Sequence, residues 1–157
     1  MTPDPLPTNP EVPSALTDSR SANALRLPSG LRVLCVDDNE DAADSLGTLL
    51  TMVGCTTVVT HDAASALAQV EQFRPQASVL DITLKETDWD GCRLARTLRE
   101  KPGGQEMLLI ALTALGDYAS LERIADAGFD LHFTKPVSPA ELYRVLNEFA
   151  LNGRPGV

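Results

Sequence analysis

Residues 31–53 read LRVLCVDDNEDAADSLGTLLTMV, and this stretch decides the fold class. Leu31 to Val36 is an apolar run with the length of a buried strand. Asp37 and Asp38 interrupt it, and from Asn39 to Val53 the period changes: Ala42, Leu46, Leu49, Leu50 and Val53 fall on one helical face, with Gly54 as the stop. A strand that runs into carboxylates and then an amphipathic helix is one β/α unit, and the unit recurs. Cys55 to Thr60 is β-branched, and Ala63 to Phe73 is helical by composition and closes at Arg74-Pro75. Gln76 to Asp81 is the third strand. Gly91 to Glu100 puts Leu94, Ala95 and Leu98 on one face behind an N-cap at Asp90, and Pro102-Gly103-Gly104 ends it. Met107 to Leu112 is the fourth apolar run, Asp117 to Ala127 a helix ended by Gly128, and Asp130 to Thr134 a short strand. Ser138 to Ala150 closes the series with Leu142, Val145, Leu146 and Phe149 on one face.

Five strands that alternate with five helices lie parallel in one sheet with right-handed crossovers, covered on both faces. The expected architecture is α/β, a doubly wound parallel sandwich. A closed barrel would need eight such units, and the ~125 residues available are too few. The folded domain spans 31–150, with a short tail over 151–157. Residues 1–30 hold six of the 11 prolines among Thr, Ser, Asn and Asp, show no sustained apolar period, and carry no P-x-x-P run with basic flanks. Such a segment buries too little to offset its ordering entropy, so it is expected as a disordered tail.

Composition removes several functional classes. Thirteen Lys and Arg against 22 Asp and Glu give a net charge of −9 and a pI near 4.6, which disfavours DNA, RNA and anionic membranes as partners. The longest apolar runs fall far short of the roughly 20 residues of a membrane span, and the start lacks a signal-peptide pattern. The protein is expected in the cytoplasm. Cys35, Cys55 and Cys92 are an odd number without metal-ligand spacing, expected as reduced, structural thiols.

In an open α/β sheet, ligands bind outside the carboxyl ends of the strands. The first strand ends in Asp37-Asp38, the third in Asp81, the fourth in Thr113 and the fifth in Lys135 before Pro136. Each has a plain structural duty available: Asp37 or Asp38 alone serves equally well as an N-cap, Thr113 as a turn residue, Lys135 as a solvated charge. Asp81 is different, since a lone carboxylate ending an apolar strand before Ile82 has no capping task. Together the five define a hard, oxygen-rich pocket suited to Mg²⁺, with an ammonium and a hydroxyl to disperse phosphoryl charge. The expected chemistry is metal-assisted phosphoryl transfer.

This set, with Ala114 after the Thr and Ala127-Gly128-Phe129-Asp130 before the last strand, resembles the receiver domain of two-component response regulators, and the resemblance covers residues 31 to about 150. It implies a flavodoxin-like five-stranded sheet in the order 2-1-3-4-5. It further implies that Asp81 accepts a phosphoryl group from a histidine kinase or a histidine phosphotransfer protein. Asp38, Asp81 and the backbone carbonyl of Thr83 would ligate Mg²⁺, with Asp37 acting directly or through water. Thr113 and Lys135 would bind phosphoryl oxygens, Thr113 and His132 would form a switch, and a downstream protein would dock on the face built from the fourth helix, fifth strand and fifth helix. Such a domain is a signalling protein that catalyses its own phosphorylation and dephosphorylation rather than a conventional enzyme. Two departures stand out. Lys85 holds a position usually occupied by Pro, and Asp90-Gly91 fall two residues late, so the loop after Asp81 is longer and gains Glu86, Asp88 and Trp89. His132 stands where Tyr or Phe is commoner. The bland reading of His132 is a partly exposed strand histidine. His61, after the second strand, is expected at the surface.

Other functions compete. A single-domain switch acting through a partner protein is the first reading, and a phosphate shuttle or sink in a hybrid-kinase relay is a close variant. A small Mg²⁺-dependent aspartyl phosphatase of the haloacid-dehalogenase type would need a second Asp two residues after Asp81, where Thr83 stands. A receiver-like module that is never phosphorylated would have no use for all five residues. Nucleotide binding lacks a Gly-rich loop after the first strand.

Overall fold

The computed structural model describes residues 30–84, 89–114 and 121–155. Five strands, β1 (Arg32–Val36), β2 (Thr56–Thr60), β3 (Ala77–Asp81), β4 (Leu108–Thr113) and β5 (Leu131–Thr134), form one sheet in the order β2-β1-β3-β4-β5. Every neighbouring pair is parallel, with Val36 opposite both Thr60 and Leu80, Asp81 opposite Leu112, and Thr113 opposite Thr134. The helices are α1 (Glu40–Met52), α2 (Ala63–Phe73), α3 (Gly91–Glu100), α4 (Leu121–Asp126) and α5 (Pro139–Asn152).

The helices begin where short polar side chains can satisfy their open N–H groups. Asn39 accepts from Ala42 N (3.0 Å), Asp62 from Ser65 N (2.7 Å) and Asp90 from Arg93 N (2.8 Å), while Ser138 accepts from Glu141 N ahead of Pro139 in the first turn. At the other end of α2, Arg74 adopts a left-handed backbone (φ 53°) and its N–H returns to Val70 O. The three central strands, β1, β3 and β4, are buried on both faces, which gives two cores. One joins Leu34, Leu80, Leu109 and Ala111 to α2, α3 and α4 through Ala66, Leu94 and Ile124. The other joins Val33, Val79 and Ile110 to α1 and α5 through Leu50, Leu142 and Leu146. The three cysteines are free and buried in these cores.

Two elements run further than expected. The fourth strand runs one residue further, into Thr113, because its pairing with β5 continues to Thr113 opposite Thr134. The C-terminal boundary at 150 is corrected: α5 continues to Asn152, Gly153 caps it with φ 81°, and Arg154 is docked on the domain. The expected start of the fourth helix at Asp117, the tail over 1–29 and the loop residues Lys85, Glu86 and Asp88 lie outside the described residues.

Candidate functional site

Parallel pairing brings all five strand ends to one edge. Because β1 and β3 are neighbours, the residues that follow Val36 and Leu80 stand side by side, so Asp37, Asp38 and Asp81 each offer a carboxylate oxygen within 4.8 Å of the others. Lys135 leaves the end of β5 and crosses above β4. Its Nζ lies 3.2 Å from Asp37 Oδ2 and 3.2 Å from Asp81 Oδ2. Both acids are nearly buried, with side chains 4% exposed against 34% for the lysine, so the pair of carboxylates is held together by an ammonium in a poorly solvated cleft.

The backbone after each acid locks its orientation. Asp37 Oδ1 accepts from Asn39 N (2.9 Å), and Asp81 Oδ1 accepts from Thr83 N (3.0 Å) and from Thr83 Oγ1 (2.8 Å). This is an Asx turn repeated at two neighbouring strand ends. Gly91 tightens the arrangement. Its N–H donates to Ile82 O at 3.2 Å, and a Cβ at this position would stand 2.5 Å from both Asp81 O and Ile82 Cα, so α3 starts directly against the end of β3.

The environments split the two buried acids. Burial alone raises Asp81, yet the two Thr83 donors and Lys135 outweigh it and hold its carboxyl below the usual range. Burial and the Asp81 charge push Asp37 up, only partly offset by Asn39 N–H and Lys135. For Lys135, burial works against the charge, but Asp81 and Asp37 overcome it and raise its pKa. The ionised form is thus favoured more at Asp81 than at Asp37, and the Lys135 ammonium faces both.

Thr113 is buried at the end of β4, its hydroxyl donating a long bond (3.4 Å) to Phe133 O, and its own carbonyl accepts from Lys135 N at 2.8 Å. The edge therefore carries acids, hydroxyl and ammonium on adjoining strands. A family model described as the response regulator receiver domain matches residues 33–147. The chain belongs to the response regulator receiver family.

Relatives agree with this membership. An uncharacterized 14.6 kDa protein in the sodA1 3′ region of Leptolyngbya boryana is 34% identical over 119 residues, covering 76% of this chain and 89% of that protein. Response regulator MprA of Mycobacterium ulcerans is 35% identical over 114 residues, covering 71% of this chain and 47% of MprA, so this chain spans about half the length of the MprA relatives it matches. Among solved structures, a CheY-like receiver domain protein from Methanospirillum hungatei has a TM-score of 0.68 at 27% identity, covering 76% of this chain and 93% of that one. The protein is a receiver domain of two-component signalling. No helix of its described residues is long and apolar enough to cross a membrane.

The remaining candidates in this receiver fall in different places. His132 is not brought to the pocket: it is exposed on β5 opposite Ala111, on the face away from Leu131 and Phe133, which pack toward α5. Thr83 lies at the pocket, where its N–H and hydroxyl orient Asp81. His61 departs from the surface position expected of it. It is half-buried, with Nε2 3.6 Å from Asp44 Oδ1 on α1. Trp89 lies under the Arg93 guanidinium (4.4 Å to the ring centre) and packs on the core just before α3. Asp90, besides capping α3, pairs through Oδ2 with Arg123 of α4.

One charged cluster went unread in the sequence. At the opposite end of the sheet, Arg99 on α3 is buried and donates to Gly104 O, Met107 O and Gly128 O, and its Nη2 lies 2.9 Å from Asp130 Oδ2. Asp130 also accepts from Leu109 N (3.0 Å) and from Arg154 Nε (2.7 Å). The cluster ties the α3–β4 turn, the start of β5 and the end of α5 together.

Proposed function

We propose that Asp81 is the phospho-acceptor of this receiver and that the pocket transfers a phosphoryl group from a phosphohistidine donor, on a histidine kinase or a histidine phosphotransfer protein, to the Asp81 carboxylate. The carrying observation is the Lys135 ammonium, 3.2 Å from one oxygen each of Asp37 and Asp81. An Asp81 oxygen forms the new bond to phosphorus, the phosphorus–nitrogen bond to the donor imidazole breaks, and the imidazole leaves with that electron pair. Lys135 stays charged and faces the phosphoryl oxygens as negative charge gathers on them. Thr113 exchanges its long bond to Phe133 O for one of those oxygens. Thr83 N–H and hydroxyl keep the nucleophile aimed and ionised.

The donor set fits a divalent cation. Three carboxylate oxygens grouped within 4.8 Å, two of them from buried residues, form the hard, anionic cluster that Mg²⁺ prefers. Asp37, Asp38 and Asp81 would hold it, with the Thr83 carbonyl as a further ligand, and when bound it supplies charge neutralisation for the incoming phosphoryl group. The reaction occurs on the domain's own Asp81, so the protein is a switch rather than a turnover enzyme. Its output passes to a protein bound on the α4–β5–α5 face, where Arg123, His132 and Arg144 are exposed. Thr113 and His132 would act as the switch pair, and the protein would work in the cytoplasm.

Incubation with acetyl phosphate and Mg²⁺ should add the mass of one HPO₃ to the intact chain, and Asp81→Asn should abolish the adduct. Equal labelling of the variant would overturn the assignment.

A further inference from the structure

The end of the sheet away from Asp81 holds a feature that phosphoryl chemistry does not use. A groove of about 750 Å³ opens where β1 begins, between the α2–β3 and α3–β4 connections. Its volume is that of a ligand-binding cleft. Val70, Pro75, Met107 and Phe149 give it apolar surface, and Arg32 and Arg74 line it with positive charge. Lys101, also on the lining, is taken up by Glu71 at 3.5 Å. The two arginines are not taken up. Arg32 donates Nε to Arg74 O (2.8 Å), and the Arg74 guanidinium has no hydrogen bond or ion pair with any described residue. Glu106 lines the same groove and is bonded to neither. In a chain with 22 acidic and 13 basic side chains, two arginines on one groove without a carboxylate partner among the described residues mark a site for an anion.

We propose that the groove takes a segment of this same chain, Glu11–Asp18. Residues 1–19 contain Asp4, Glu11 and Asp18 and no Lys or Arg, so this stretch is the complementary charge. Between Glu11 and Asp18 lie Val12, Pro13, Ala15 and Leu16, which match the apolar floor. The attachment point is favourable too, because the segment joins the domain through Gly30 and Leu31, immediately before Arg32 of the groove lining. Asp18 precedes Arg32 by 14 residues, a reach of up to about 46 Å when extended, whereas five strands at ~4.8 Å spacing span only about 19 Å. Tethering raises the effective concentration to the millimolar range, so contacts as weak as partly exposed ion pairs suffice. The segment needs no core of its own to dock in this way.

A spin label on Ala15→Cys tests this in the full chain, since the three native cysteines are buried and leave residue 15 as the reactive thiol. Amide signals of Arg74, Gln76, Lys101 and Met107 should be lost to paramagnetic broadening, while those of Asp38, Thr83 and Thr113 stay sharp. Arg74→Gln should restore the lost signals, as should Glu11→Gln with Asp18→Asn, or salt at roughly 0.5 M. The Arg74 side chain has no hydrogen bond or ion pair among the described residues, so its replacement leaves the domain intact. Broadening confined to residues 30–32, or indifferent to the charge variants, would overturn the proposal. Broadening in a mixture of spin-labelled chains and isotope-labelled untagged chains would also overturn it, because the occupant would then be a second copy.

Discussion

Removing one carboxylate, Asp130→Ala, should cost this receiver more stability than any change at its reactive edge. The Asp130 side chain is 4% exposed and accepts three hydrogen bonds, from Arg99 Nη2 (2.9 Å), Leu109 N (3.0 Å) and Arg154 Nε (2.7 Å). Alanine strips the counter-ion from a guanidinium that is only 9% exposed and leaves the Leu109 N–H without a partner inside the sheet. Breaking a buried pair from one side costs about 3–5 kcal/mol, and the orphaned N–H is part of that loss. The carbonyls of Gly104, Met107 and Gly128 still hold Arg99, which keeps the expected value near ~4 kcal/mol. At roughly 3–4 °C per kcal/mol for a domain of this size, the thermal midpoint should fall by about 12–16 °C. Urea unfolding followed by circular dichroism should show a lower midpoint with an unchanged slope. Arg154→Ala removes only the more exposed partner and should cost roughly 1 kcal/mol. Leu109 lies four residues before Thr113, about 13 Å along β4, so labelling of Asp81 under native conditions should be unchanged. A loss below about 1 kcal/mol for Asp130→Ala, or an equal loss for Arg154→Ala, would refute the reasoning.

Three further outcomes are expected. Gly91→Ala, which drives a Cβ to 2.5 Å from Asp81 O and Ile82 Cα, should destabilise the domain by about 1–3 kcal/mol and slow acetyl phosphate labelling, read by urea midpoint and intact mass. Asp38→Ala should lose Mg²⁺ binding, followed through Trp89 fluorescence, together with labelling; wild-type labelling in Mg²⁺ would show the pocket to be misread. Burial pushes the Cys55 thiol up to about 11 from 9.0 and Cys35 higher still. The unfolded chain therefore releases these protons while the folded chain keeps them, and stability should fall as pH rises past ~9, a decline reduced in the Cys35→Ala, Cys55→Ala double variant.

The reactive edge was legible because two simple periods determine it. Apolar runs fix where strands end, parallel connection sends every carboxyl end to one edge, and residue types that make no sense there as packing, Asp81 above all, become conspicuous. Two features at that edge had a signal that passed unread. An Asp with a residue two positions on whose N–H turns back to it is an Asx turn, and both Asp37-x-Asn39 and Asp81-x-Thr83 follow that pattern. The Arg99–Asp130–Arg154 cluster had no such signal. Arg99 sits in an Arg-rich helix whose polar side reads as solvated, and Gly104 reads as a helix stop. Its other role, giving the backbone close approach where a Cβ would lie 2.0 Å from Leu98 O, depends on tertiary packing. The end of α5 was misplaced because Leu151, 67% exposed, continues no apolar stripe.

One carboxylate serves two helices. Asp90 caps the start of α3 with Oδ1 and holds Arg123 of α4 with Oδ2. The described part of α4 is six residues, far below the length at which a helix persists alone in water, and Ile124 is its one fully buried side chain. The anchor for α4 exists only after α3 has formed its first turn, since that turn fixes the Asp90 side chain. The described part of α4 thus depends on α3 for a polar anchor as well as on Ile124 for its burial. A substitution at Asp90 therefore acts on two helices at once, loosening the first turn of α3 and the hold on Arg123 together.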